Sequence, residues 1–397
     1  MKKKIKSRAF WRIISSTFLF SLCVPLLTGC WDMREVEHLF YVNTLGIDYQ
    51  SGKYIVYLQI LNPEAIAKKT SGGGTSRPGA WVAKGDGRTV LGAMHAIYAT
   101  TQRRIFWGHT TSIVITEQAL LHGGIQEAMD IPTRYFEFRY LPWMYCTNAP
   151  LPALLNVQPI IEGSPIFSIL SDPIDMYGQS SYVVPKQMFG TIRDMLEPGR
   201  PSLLPELSIK KSNWMDAKKY YPEPTISGVG VLRHGYLIGR LGREQLVGFR
   251  WIMPETRRTI VILHRKEQPV AILTLHSPIP MIKPTLTGKQ LVFDVKLRVS
   301  GYISEQMEPI SEQQIKKLAT QQIEHEIRET YAQGIRLKTD IYGLSQSFYR
   351  QDTKSYWQWV HAGKAPLLRN YSLRHVAISL SLDNSGRTLE AENHYNK

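Results

Sequence analysis

The residues that most limit what this chain can fold into are its first thirty. Residues 1–8 (MKKKIKSR) carry only positive charge, and an apolar run at 13–27 follows Arg12. That is the layout of an export signal. The run holds Ser15, Ser16, Thr17, Ser21 and Pro25, so it falls short of the roughly 20 apolar residues that a spanning helix needs. Residues 1–29 are therefore expected to leave before folding, and the fold is decided from residue 30 onward. The alternatives are a plain secretory peptide with an incidental cysteine, or a cysteine buried in a hydrophobic helix.

The segment closes on Leu27-Thr28-Gly29-Cys30, which resembles a bacterial lipobox: a branched apolar residue, two small residues, then the cysteine that takes a diacylglycerol. One acyl chain holds a protein to a membrane only marginally, at about 0.8 kcal/mol per buried methylene, and two make a stable anchor. Cys30 is thus the expected lipid attachment site, carrying diacylglycerol with or without a further N-acyl chain, and no other cofactor is expected. Cys23 leaves with the signal, so Cys146 remains as the one thiol and no internal disulfide can form. Some 368 residues follow the cut, enough for two or three domains that need no covalent staples.

Of the formal charge of +15, six basic residues belong to the signal, leaving +9. Residues 30–200 sum to −1 and residues 201–397 to +10. A basic half outside the cytoplasm can face anionic lipid or an acidic partner, or can simply be solvated. Nucleic acid is not an expected partner, given the compartment and the lack of a binding motif.

Along the chain, 53–60 (KYIVYLQI) follows a turn-like stretch and reads as a strand paired back onto 40–47. Residues 68–80 (KKTSGGGTSRPGA) read as a mobile loop. Thr89 can cap a helix burying Val90, Met94, Ile97 and Tyr98. A buried strand is expected at 111–116, a helix at about 117–129 and an interrupted or edge strand at 136–146, where Pro142 stands. Prolines recur from 148 to 221, which suggests short helices and a linker at 201–222. Residues 227–241 (SGVGVLRHGYLIGRL) read as a hairpin with Gly235 at its turn. Residues 290–304 alternate as a strand with one wet face, Ser311 and Gln314 look like a capping box opening a helix to about 332, and 376–382 alternates again. The expectation is an α+β fold of three domains with mixed, largely antiparallel sheets and packed helices: 30–200, 223–280 and 281–392, then a polar tail at 393–397.

Catalytic chemistry is hard to find. The eleven histidines are scattered, no HExxH occurs, Gly228-Val229-Gly230 lacks a third glycine, and no GxSxG is complete. No metal site and no catalytic set are expected. Arg134, Glu137 and Arg139, with His109 after Gly108, could bind an anion or orient a partner; equally they could form a salt-bridged rim and a histidine bonded in a turn.

These residues also carry a resemblance. Gly29-Cys30-Trp31-Asp32 with Glu35, Leu45-Gly46-Ile47-Asp48, the 103–109 segment (RRIFWGH), Arg134-x-x-Glu137-x-Arg139, Gly228-Val229-Gly230-Val231, the 239–248 stretch with Glu244, and Asp340-Ile341-Tyr342-Gly343 before Tyr356-Trp357 together resemble the Ger(x)C lipoproteins, the C subunits of spore germinant receptors. Tyr135 departs from the pattern, in which an acid often follows the first arginine. The resemblance implies a non-enzymatic, three-domain α+β subunit on the outer surface of the spore's inner membrane, beside membrane A and B subunits and needed for nutrient germination. It marks Cys30 for lipid and Trp31, Asp32, Gly46, Asp48, Gly108, His109, Arg134, Glu137, Arg139 and Asp340 as structural or partner contacts. The alternative reading is a solute-binding lipoprotein of a transporter, which calls for two similar lobes about a cleft.

Overall fold

A computed structural model of the chain describes residues 14, 17, 39–62, 80–157, 159–160, 165–288, 290–361 and 368–383. Cys30, Trp31, Asp32 and Glu35, most of the glycine-rich 68–80 stretch and the 393–397 tail lie outside the described residues. By contacts the chain divides into two units, residues 1–40 with 102–104 and residues 41–101 with 105–397. Within the first, the Arg103 guanidinium lies over the Phe40 ring at 5.9 Å. All that follows concerns the second.

Strand β1 (Leu39–Gln50) turns through Ser51 and Gly52, both at positive φ, into antiparallel β2 (Lys53–Leu61). Two left-handed residues match the natural twist of a hairpin. β3 (Ala80–Gly87) adds to β2, and helix α1 (Val90–Tyr98) packs on both, its first turn capped by Thr89, which accepts from the Gly92 N–H. After β4 (Arg104–Phe106), β5 (Ser112–Thr116) is buried at every residue and runs parallel to β1. The single helix expected over 117–129 is two, α2 (Glu117–Leu121) and α3 (Gly124–Arg134), because Gly123 turns left-handed between them at φ 87°. The strand expected at 136–146 is shorter, β6 (Trp143–Thr147): a turn closes between Tyr135 and Phe138, and Pro142 has no N–H to pair.

Short helices α4 (Leu151–Leu155), α5 (Ile174–Gln179) and α6 (Met188–Leu196) lead to β7 (Ser202–Asp216), β8 (Lys219–Arg233) and β9 (Tyr236–Gly242). The expected linker at 201–222 is therefore paired strand. These strands join the first ones in a nine-stranded sheet ordered β3-β2-β1-β5-β6-β7-β8-β9, with β4 beside β1. Its flanks are antiparallel, but β1, β5, β6 and β7 are mutually parallel. Parallel neighbours need a crossover, and α2 with α3 supplies the one from β5 to β6.

After α7 (Phe249–Ile252), β10 (Thr259–Arg265), β11 (Gln268–Thr287), β12 (Gln290–Gln306) and β13 (Leu373–Asp383) form a second sheet in that order, antiparallel except for β12 with β13. Helix α8 (Glu312–Arg336) opens on the expected capping box of Ser311 and Gln314 and packs on β13 and β10 through Ile315, Ile323 and Ile327. α9 (Leu344–Gln351) and α10 (Thr353–Trp359) follow. The architecture is α+β, with two mainly antiparallel sheets. The expected middle domain, 223–280, does not stand apart. Its β8 and β9 belong to the first sheet, its C-terminal limit falls inside β11, and Leu203, Val229 and Leu241 share one core with Val261, Phe293, Ile323 and Phe348.

Candidate functional site

The residues singled out in the sequence occupy three places. In β1, a Cβ on Gly46 would lie 3.1 Å from Leu151 Cδ1 and 3.3 Å from both Leu155 Cδ1 and Tyr57 Cβ, so glycine lets α4 sit against the strand. Asp48 is buried two residues on, accepting from Thr116 Oγ1 at 2.6 Å, Gln50 Nε2 at 2.6 Å and the Tyr49 N–H at 2.8 Å. Thr116 Oγ1 accepts in turn from the Ala119 N–H, capping α2. Asp48 thus ties the end of β1 to the start of a helix, a task for an acceptor with several lone pairs.

The second place is a corner built on buried Trp107. A Cβ on Gly108 would meet the Phe106 ring at 2.8 Å and the Glu137 carbonyl oxygen at 3.4 Å, which brings the Gly108-His109 loop against the 134–139 segment. His109 is exposed and stands edge-on to Tyr41 at 5.2 Å. Arg134 pairs one turn back with Asp130; Glu137 is partly buried, and Arg139 is exposed. Tyr135, the departure from the family pattern, receives a hydrogen bond from the Tyr98 hydroxyl at 3.2 Å, lies 3.3 Å from His95 Nε2 and packs beside Trp107 at 5.6 Å. Burial and the Tyr98 contact push its hydroxyl pKa far up. Aromatic packing therefore stands where an acid would make an ion pair. Next to it, Phe136 is 92% exposed.

Asp340 occupies the third. Its buried carboxylate accepts from the Leu344 and Ser345 N–H groups at 3.0 and 2.6 Å, capping α9 beyond Gly343, which is left-handed at φ 67°. Burial raises its pKa, against the pull of those hydrogen bonds. Its helix borders a site that sequence reading missed. A cavity of about 370 Å³ has an apolar wall that includes Phe249, Ile252 and Tyr342, and charged groups that include Lys186, Asp194 and Arg350. The Asp194 side chain is 2% exposed, yet it holds Lys186, Arg193 at 3.0 Å and Arg200 at 2.5 Å. Glu197 pairs with Arg350 at 2.8 Å. Burial would raise the Glu197 pKa, but Arg350, Gln346 and Arg200 outweigh it and hold it low. Four cations against two carboxylates leave an excess of positive charge that suits the anionic end of a small molecule. Among the described residues no three His, Cys, Asp or Glu side chains gather to hold a metal ion, and the Cys146 thiol is buried with its pKa driven up by desolvation.

A family model described as the N-terminal domain of spore germination proteins matches residues 32–209, and one described as spore germination B3/GerAC like, C-terminal, matches residues 227–364. The chain belongs to the Ger(x)C family of spore germination proteins. Among curated relatives, spore germination protein KC of Bacillus subtilis (strain 168) is 25% identical over 356 residues, 84% of this chain and 86% of that one. Spore germination protein B3 of the same organism is 21% identical over 291 residues, covering 71% and 72%. The crystal structure of the GerBC protein superposes with a TM-score of 0.54 at 13% identity, over 86% of this chain and 97% of that one, a likeness of fold. The stretch between the two family matches, 210–226, is the outer part of the β7–β8 hairpin of this Ger(x)C protein. The strand pairing hid that hairpin from sequence reading; its run of lysines and aromatics was the available signal.

Proposed function

We propose that this Ger(x)C protein is a non-enzymatic C subunit of a nutrient germinant receptor, needed for spore germination and tethered by lipid on Cys30 to the outer face of the spore's inner membrane beside A and B membrane subunits. The observation that carries this reading is the pair of family matches, in order, over 32–209 and 227–364. The placement of the motif residues supports it: Gly46, Asp48 and Asp340 hold the scaffold together, as expected of a subunit that presents surfaces. The corner with Gly108, His109, Arg134, Glu137 and Arg139, and exposed Phe136 beside it, is then a partner contact, and Trp31 and Asp32 link it to the anchor. No described helix is long and apolar enough to cross a membrane. The experiment is deletion of the gene in a strain lacking overlapping receptors, with Cys30→Ala as companion, scoring spores on a panel of nutrients. Loss of the response to at least one nutrient is expected in both; normal germination on all of them would overturn the reading. The cavity beside Asp194 favours the solute-binding alternative, but that calls for two similar lobes, and this cavity lies in a molecule whose two unlike sheets share one core.

A further inference from the structure

The β7–β8 hairpin outruns its sheet. β6 pairs with β7 only at Glu206 and Leu207, and β9 pairs with β8 only from Gly228 onward. Beyond them the two strands have each other alone, through Trp214 opposite Tyr221, Met215 opposite Tyr220 and Asp216 opposite Lys219. At about 3.3 Å per residue, the arm from Leu207 to Asp216 reaches on the order of 30 Å. Every residue from 210 to 220 is exposed.

A two-stranded ribbon has no core to fill, and yet Trp214 is 54%, Met215 59% and Tyr220 53% exposed at its tip. The register sets Trp214 and Tyr221 on one face and Met215 and Tyr220 on the other. Docking on a protein surface would cover one face; immersion in a lipid headgroup layer covers both. Lys210, Lys211, Lys218 and Lys219 surround these rings, with Asp216 the one acid between 210 and 221, and the Lys219 ammonium lies 5.2 Å from the centre of the Tyr221 ring. Tryptophan and tyrosine prefer the membrane–water boundary, where their apolar bodies and polar tips are both satisfied. Lysines reach past them to lipid phosphates.

We propose that the outer β7–β8 hairpin is a membrane-contact arm, seating Trp214, Met215 and Tyr220 in the headgroup layer of an anionic bilayer with Lys210, Lys211, Lys218 and Lys219 on its phosphates. The proposal rests on the reading of this chain as a protein that works at a membrane face, and it assigns that work to one element. The test isolates the emission of Trp214 as the difference between the full chain and its Trp214→Phe form. On vesicles of mixed phosphatidylglycerol and phosphatidylcholine this emission should shift to the blue and be quenched by brominated acyl chains. Each lysine changed to glutamine should weaken the vesicle titration about fivefold, and high salt should weaken it further. No shift on the mixed vesicles, or an equal shift on phosphatidylcholine alone, overturns the proposal. So does a shift that appears only when membrane protein subunits are present, which would make the arm's partner a protein. A negative vesicle result leaves a germination defect of the deletion strain untouched, so failure here and failure of the proposed function are separable.

Discussion

Changing Asp194 to asparagine tests how the charged wall of the cavity is held. In the native chain one carboxylate with 2% exposure answers three cations, of which Lys186 and Arg200 are themselves only 18% and 22% exposed. Asparagine keeps the shape but offers a single oxygen, and its amide N–H groups face whichever cation that oxygen does not meet. Removing one partner of a buried charge cluster costs about 3–5 kcal/mol because the remaining charges stay desolvated. Since water reaches the edges of Lys186 and Arg200, the low end, about 3 kcal/mol, is expected. For a chain of this size that lowers the melting temperature by on the order of 5 °C. Urea denaturation followed by circular dichroism, with hydrogen exchange at 186–203, reads the loss and its place. Adding Lys186→Met to Asp194→Asn should return about 1 kcal/mol, because it removes one of the stranded cations. A loss below about 1 kcal/mol for Asp194→Asn, or a double variant weaker than the single one, would refute this account of the cluster.

Other positions give sharper signs. Burial raises the Asp340 pKa above its value in the unfolded chain, so its contribution to stability is complete below the ordinary carboxylate range and is lost as pH rises through the folded value; Asp340→Asn should flatten that part of a melting-temperature profile, and an unchanged profile would contradict it. Gly248→Ala places a Cβ 2.1 Å from the Glu326 carbonyl oxygen in α8 and should cost on the order of 3 kcal/mol, whereas Gly190→Ala, with nothing within 4 Å, should gain up to about 1 kcal/mol in α6; thermal melts of the pair would show opposite shifts. Thiol titration of the native, acylated protein should count no reactive thiol, because Cys146 is buried with a raised pKa, and one in denaturant. A second thiol would mean that Cys30 carries no lipid.

Features with a local cause could be read from the chain. The β1–β2 hairpin follows from β-branched and aromatic residues about Ser51-Gly52, the caps from Thr89 and Ser311, and the strand β12 from its alternation, since each depends on neighbours a few residues away. The family was legible for a related reason: Gly46, Asp48, Gly108 and Asp340 meet exacting packing or capping needs, which leaves them as fixed spellings within short motifs.

Tertiary structure alone decided the rest. Prolines 205, 222 and 224 made 201–222 resemble a linker, yet the strands there found distant partners, and a partner's carbonyls and N–H groups leave no mark on the local sequence. The parallel centre of the first sheet depends on which strand β5 lies beside, a choice made by helices packing over it. Lys186, Asp194, Arg200 and Arg350 are unremarkable charges in a row of letters. They become one desolvated cluster because α6 and α9 close on the same cavity, and the strength of a charge interaction is set by separation and by excluded water, which sequence order does not carry.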